Sequence, residues 1–177
     1  QQEWIGKRRL TGRVGVNWRP QDWFSLQLDI DRIDREGWLV NQGDGYLTAF
    51  ETREWAPKLN MDYFLSAQQQ FRLSLQWVGI QAFEDTFYQV DQQRLRELIE
   101  LPERPAPEPQ DFNINRMTFQ ARYRWELAPL SDLFVVYTRG SNLPRDTFED
   151  TVEQFRRSWT DRIVDTWVIK LRYRIDG

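Results

Sequence analysis

Between Arg116 and Leu127 the chain changes character at every residue. Met117, Phe119, Ala121, Tyr123, Trp125 and Leu127 fall on one parity, and Arg116, Thr118, Gln120, Arg122, Arg124 and Glu126 on the other. Successive side chains of a strand point to opposite faces, so a period of two commits this segment to an extended strand with one apolar and one polar face. The pattern recurs at Leu10–Trp18, Phe24–Ile30, Leu59–Leu65, Phe71–Trp77 and Trp167–Ile175, while Leu133–Thr138 is apolar on both parities. The expected class is therefore all-β, with about seven antiparallel strands in up-and-down order.

The connections are expected to alternate in length. Arg19–Asp22, Ser66–Gln69 and Ala128–Asp132 carry the Pro, Ser and Asp of tight turns. Between them lie expected long loops at about 31–52, 81–113 and 140–165. The last contains a helical signal, with Asp146 as N-cap, Glu149 three positions on, and Phe148, Val152, Phe155 and Trp159 at helical spacing. In the middle one, Asp91 opens a helical run with Leu95, Leu98 and Ile99 on one face, ended by the Pro-rich stretch Pro102–Pro109.

Alternation alone leaves two solvents open for the apolar face: the core of a soluble antiparallel β-sandwich, or lipid around a transmembrane β-barrel. Composition sharpens the choice. Mean hydropathy is -0.72, yet aromatics reach 15% with nine Trp. A barrel strand contributes as many polar as apolar residues, so its average is polar, and its aromatics gather in girdles at the two membrane interfaces. Trp18, Trp23, Tyr63, Trp125 and Tyr173 fall toward the short turns, and Trp55, Trp77 and Trp167 toward the long loops. On that reading the opposite parity lines a lumen with Arg13, Asp29, Asp31, Arg72, Arg116, Arg122, Arg124, Glu126, Lys170, Arg172 and Arg174. The whole of 1–177 is then one outer-membrane β-barrel segment with short periplasmic turns. Seven strands ending in the periplasm would start outside, so at least one earlier strand is expected, and the chain reads as the C-terminal part of a larger barrel. The start, Gln1-Gln2-Glu3-Trp4, has no signal-peptide pattern.

The chain has no His and no Cys, which removes the commonest general base and every thiol nucleophile. No enzymatic role, no cofactor and no metal site are expected. Asp29 and Asp31 share a face at a spacing compatible with a glycosidase pair, but an ion pair with an Arg of the same face is the plainer reading. Asp34, Glu36, Asn41 and Asp44 beside Gly43 and Gly45 match no EF-hand spacing and read as a polar loop. A net charge of -3 argues against a nucleic-acid partner.

The segment Tyr123–Gly140, with Leu73–Ala82 and Val168–Arg174, resembles the barrel of an uncharacterised bacterial family. Its members join an N-terminal module similar to carbohydrate-binding family nine to a C-terminal outer-membrane β-barrel. The resemblance covers most of the chain from Arg53 onward and supplies no functional residue. The ending Ile175-Asp176-Gly177 departs from the terminal aromatic of many outer-membrane proteins, which leaves an extended or trimmed terminus, or an assembly signal shifted to Tyr173. The expected location is the bacterial outer membrane of a Gram-negative cell, with lipid as the first partner. Extracellular glycan, solute or protein partners would meet the long loops. The expected role is a surface anchor or scaffold, or a porin-like pore for solute uptake, with the soluble sandwich binding module as the alternative.

Overall fold

The computed structural model describes residues 7–91, 97–105, 108–145 and 149–175. Its strands are β1 (Arg9–Gln21), β2 (Phe24–Gly43), β3 (Tyr46–Ser66), β4 (Gln69–Val90), β5 (Leu98–Leu101), β6 (Phe112–Ala128), β7 (Ser131–Arg145) and β8 (Val164–Arg172), with one helix, α1 (Thr151–Thr160). All pair antiparallel in a single sheet of order β1-β2-β3-β4-β6-β7-β8, and the short β5 pairs with β4. The sheet is not closed: β1 and β8 each keep one edge without a strand partner among the described residues.

The alternating runs become strands with the expected phase, but the strands reach far past them. β2, β3 and β4 have 20, 21 and 22 residues, so most of 31–52 and the start of 81–113 is ladder rather than loop. β2 and β3 are joined only by Asp44 and Gly45, at φ 49° and 80°. That Asp-Gly pair adopts the left-handed conformations of a type I′ hairpin turn, whose twist matches the flanking strands. The expected alternation of short and long connections therefore fails at this hairpin. In the 140–165 stretch, β7 runs on to Arg145 and β8 begins at Val164.

Two expected helices also resolve differently. Leu98 and Ile99 belong to β5, whose residues pair with Phe87–Val90, and Asp91 extends the ladder by donating its N–H to the Glu97 carbonyl. Leu95 lies outside the described residues. In the last connection α1 starts four residues after the expected position: Asp150 is its N-cap, accepting the Glu153 N–H at 2.8 Å. Asp146 and Phe148 lie outside the described residues.

The β6–β7 turn holds one strained residue. Leu130, following Pro129, sits at φ 63°, a left-handed conformation that costs a branched side chain about 1–2 kcal/mol. Leu130→Asn, which tolerates this conformation, is expected to raise stability by about 0.5–1 kcal/mol, read as a higher denaturant midpoint at unchanged slope.

No second sheet packs on this one among the described residues; every large element contact joins neighbouring strands, apart from α1 on β4, β6 and β7. Burial is correspondingly sparse, with Ala49, Phe50, Trp77, Ala82 and Met117 the buried hydrophobic residues. Phe50 belongs to a cluster with Trp38 and Phe112, the Phe50–Phe112 rings meeting edge-on at 5.0 Å. Trp77 and Met117 lie side by side in the β4–β6 register.

Candidate functional site

The register sorts the side chains of this sheet into two faces without ambiguity. One row reads Phe24–Tyr63–Phe71–Tyr123–Val135–Ile169 across six strands, and the next reads Leu26–Met61–Leu73–Ala121–Tyr137–Trp167. A third, Val16–Leu28–Leu59–Leu75–Phe119, runs from β1 to β6. These rows make an apolar belt, open to solvent at its flanks: Val14, Val16 and Trp18 on β1 and Trp167, Ile169 and Leu171 on β8 are each more than half exposed. Beyond the belt, away from the short turns, the same face turns polar with Arg32, Asp34, Arg53, Gln81, Asn115 and Ser141.

Of the expected girdle residues, Trp18, Trp55, Tyr63, Trp77, Trp125 and Trp167 lie on this face within strands. Trp23 occupies the β1–β2 turn, where its ring meets Tyr63 edge-on at 5.5 Å, and Tyr173 lies just past β8. Trp55 carries the Arg32 guanidinium over its ring at 4.8 Å. Trp77 differs from the expected interface residue: it is 4% exposed, because α1 covers it.

That covering is specific. α1 turns Phe155 onto Trp77, with rings at 5.4 Å and 88°, and Trp159 onto Phe119 at 5.3 Å. Asn115, buried on β6, accepts the Trp77 indole N–H at 2.7 Å and donates its amide to the Gln154 carbonyl, which joins β4, β6 and α1 through one side chain. Arg139 on β7 donates to the Trp159 carbonyl. Gly79 is required for the fit, since a Cβ there would lie 2.4 Å from the Trp77 ring. α1 thus sits where the apolar belt gives way to polar residues. Its exposed residues are Val152, Arg156 and Thr160, and hydrogen bonds from Arg156 and Arg157 hold the Glu153 carboxyl below its ordinary value.

A carboxyl depressed in the fold relative to the unfolded chain stabilises α1 at pH above the ordinary Glu value, and that contribution is lost as pH falls through the depressed one. A carbon-shift titration of Glu153 is expected to give a midpoint below that of a free Glu side chain. Arg157→Gln should move it back upward.

The opposite face collects the expected lumen residues. Arg13, Asp29, Asp31, Arg72, Arg116, Arg122, Arg124, Glu126, Lys170 and Arg172 all fall on it by register, while Arg174 lies past β8 and donates its backbone N–H to Ser131. Their charges segregate. On β1 and β2, Arg13 forms a two-pronged pair with Asp31 at 2.5 and 3.1 Å, and Asp29 accepts from Gln27 at 2.8 Å. Asp29 and Asp31 are thus each held by a separate neighbour on the sheet. On β3 and β4, Asp62 accepts from Arg72 at 2.5 Å and from Gln70 at 3.1 Å. Farther along, Asp132 accepts from Arg124 at 2.9 Å and from Arg172, with only 1% of its side chain exposed.

Asp132 is the residue that sequence reasoning missed. Its place after Pro129 marks it as a turn residue, and only the register shows it facing Arg172 from the first ladder positions of β7. The residues of the expected polar loop are dispersed along β2 and its turn: Asp34 pairs with Arg32 at 2.6 Å, and the Asn41 amide oxygen accepts the Gly43 N–H at 2.9 Å. No cluster of three or more His, Cys, Asp or Glu suited to a metal occurs among the described residues.

A family model described as a domain of unknown function (DUF5916) matches residues 2–177. No curated protein and no solved structure matches the chain.

Proposed function

The chain belongs to the DUF5916 family, and from that premise we propose that it forms part of the wall of a β-barrel in a bacterial outer membrane. The observation that carries this reading is the apolar belt itself. An antiparallel sheet in water hides its apolar face against a second layer. Here rows of Leu, Ile, Val, Phe and Trp cross β1 to β8, and α1 touches them only at one border. From Phe71 to Trp77, a strand rising ~3.3 Å per residue and tilted ~40° climbs roughly 15 Å. With the aromatic rings at both ends, that approaches the apolar band of an outer-membrane barrel, about 25 Å tall.

The short turns at Asp22–Trp23, Ala67–Gln68 and Pro129–Leu130 would then lie on the periplasmic side. α1 and the ends of β2, β3 and β4 would rise outside. The free edges of β1 and β8 would pair with strands other than the eight described, closing the wall. The role supported is that of a surface anchor or a passage for solutes, with no catalytic step assigned to any residue. The aromatic belt gives the direct test. When the purified chain is added to phosphatidylcholine vesicles carrying bromine on their acyl chains, the fluorescence of Trp18, Trp125 and Trp167 should be quenched. A chain that stays monodisperse without detergent and shows no quenching overturns the reading. Steady ohmic current in planar bilayers would then favour passage over anchorage.

A further inference from the structure

We infer that the polar face binds an organic anion with an apolar body, in the cleft that β4, β6, β7 and β8 form around Arg122 and Lys170. This site is independent of which solvent covers the opposite face. The register arranges it as a grid. One row is Gln70–Arg124–Phe134–Lys170, the next is Arg72–Arg122–Val136–Val168, and the row nearer the turn is Glu126–Asp132–Arg172. The side chains of the first two rows line a cavity of about 380 Å³, within the size range of small-molecule sites.

The charges in this grid do not balance. Arg72, Arg122, Arg124, Lys170 and Arg172 face Asp62, Glu126 and Asp132, and the two Asp residues are already engaged. Asp62 is held by Arg72 and Gln70, and Asp132 by Arg124 and Arg172. Arg122 donates its Nε to the neutral Gln120 at 2.6 Å, and neither Arg122 nor Lys170 forms an ion pair among the described residues. Arg72 stands directly opposite Arg122 in the ladder, where like charges are destabilising. A bound anion would relieve that repulsion and give Arg122 a charged acceptor beside the neutral Gln120.

The apolar half of the ligand is set by β7. Phe134 and Val136, half-buried, lie between Arg122 and Lys170, with Val168 beside them. These three apolar residues stand side by side on β7 and β8, directly across the ladder from Arg122 and Arg124. Cations on both flanks and an apolar floor between them match a ring or short chain bearing a phosphate, carboxylate or sulfonate group.

Phenyl phosphate is the probe, titrated by calorimetry into the purified chain in a neutral maltoside detergent, with inorganic phosphate as the comparison. Phenyl phosphate should bind more tightly than inorganic phosphate. Arg122→Gln and Lys170→Gln should each weaken it about fivefold to tenfold, whereas Arg122→Lys, which keeps the charge, should lose less than Arg122→Gln. Arg13→Gln, at the far side of the sheet, should leave binding unchanged. No binding by a folded chain, equal affinity for the two probes, or equal loss in the Arg13 variant would overturn the inference. Failure of the vesicle experiment together with anion binding would remove the membrane reading and leave this site standing.

Discussion

Truncating Trp77 to alanine is expected to destabilise the β4–β6–α1 assembly by about 3–5 kcal/mol, the usual cost of emptying a buried aromatic site. The effect should be large because Trp77 acts twice. Its ring is the surface on which Phe155 rests, and its indole N–H occupies the oxygen of Asn115, whose amide in turn holds the Gln154 carbonyl. Removing it leaves a cavity and an unsatisfied buried acceptor together. Trp77→Phe separates the two: the ring is largely kept, the hydrogen bond is lost, and the expected cost is about 1–3 kcal/mol. Denaturant midpoints of the two variants give the ordering. Equal midpoints for wild type and Trp77→Ala would mean that α1 contributes nothing to the stability of the sheet.

Asp132→Ala should also destabilise the sheet, for a different reason. Asp132 is the buried acceptor shared by two Arg residues on two strands, and although those guanidiniums stay about half exposed, its loss unties β6 and β8 from β7 together. Neighbouring Ser131 accepts the Arg174 N–H, so this corner also fixes the end of β8. The expected phenotype is local as well as energetic: faster amide exchange along β8, with β2 and β3 unaffected. Arg13→Ala offers the contrast. Its pair with Asp31 is exposed on the Arg side, where solvent screens the interaction, so its loss should cost far less.

The strands that cross the apolar belt were legible because one face must be uniformly apolar there, and such a face imposes a period of two. Above the belt that requirement ends. In β2, Arg32, Asp34 and Arg35 bring charge to both faces, and the register shifts between Arg35 and Trp38, beside Gly37 at φ 80°. A bulge reverses the parity of everything after it, so the outer half of a 20-residue strand reads as loop. The shift between Ala49 and Phe50 hides the outer half of β3 and β4 in the same way.

Leu98-Ile99-Glu100-Leu101 is too short for its periodicity to separate helix from strand. Only the ladder with β4 decides it. At the polar face, sequence parity put residues from Arg13 to Arg172 on one side of the sheet but could not say which cation meets which carboxylate. That depends on lateral alignment between strands, fixed by turns and bulges far from the charges themselves. Asp132 had no alternating neighbour to mark it. The helix was visible through Phe155 and Trp159, yet its docking against Trp77 required knowing that Trp77 stood at the edge of the belt.

In the order β1-β2-β3-β4-β6-β7-β8, every long strand lies beside its neighbour in sequence. Each new ladder therefore closes only a short stretch of chain. Early contacts carry little loop entropy, and the search is local. Such a meander can grow by successive hairpins, each offering the next strand a ready edge, with the Asp44–Gly45 turn well placed to start one of them. Were the wall to close as proposed, the slow step would be the one no hairpin provides, the pairing of the two outermost edges, and assembly would be rate-limited there.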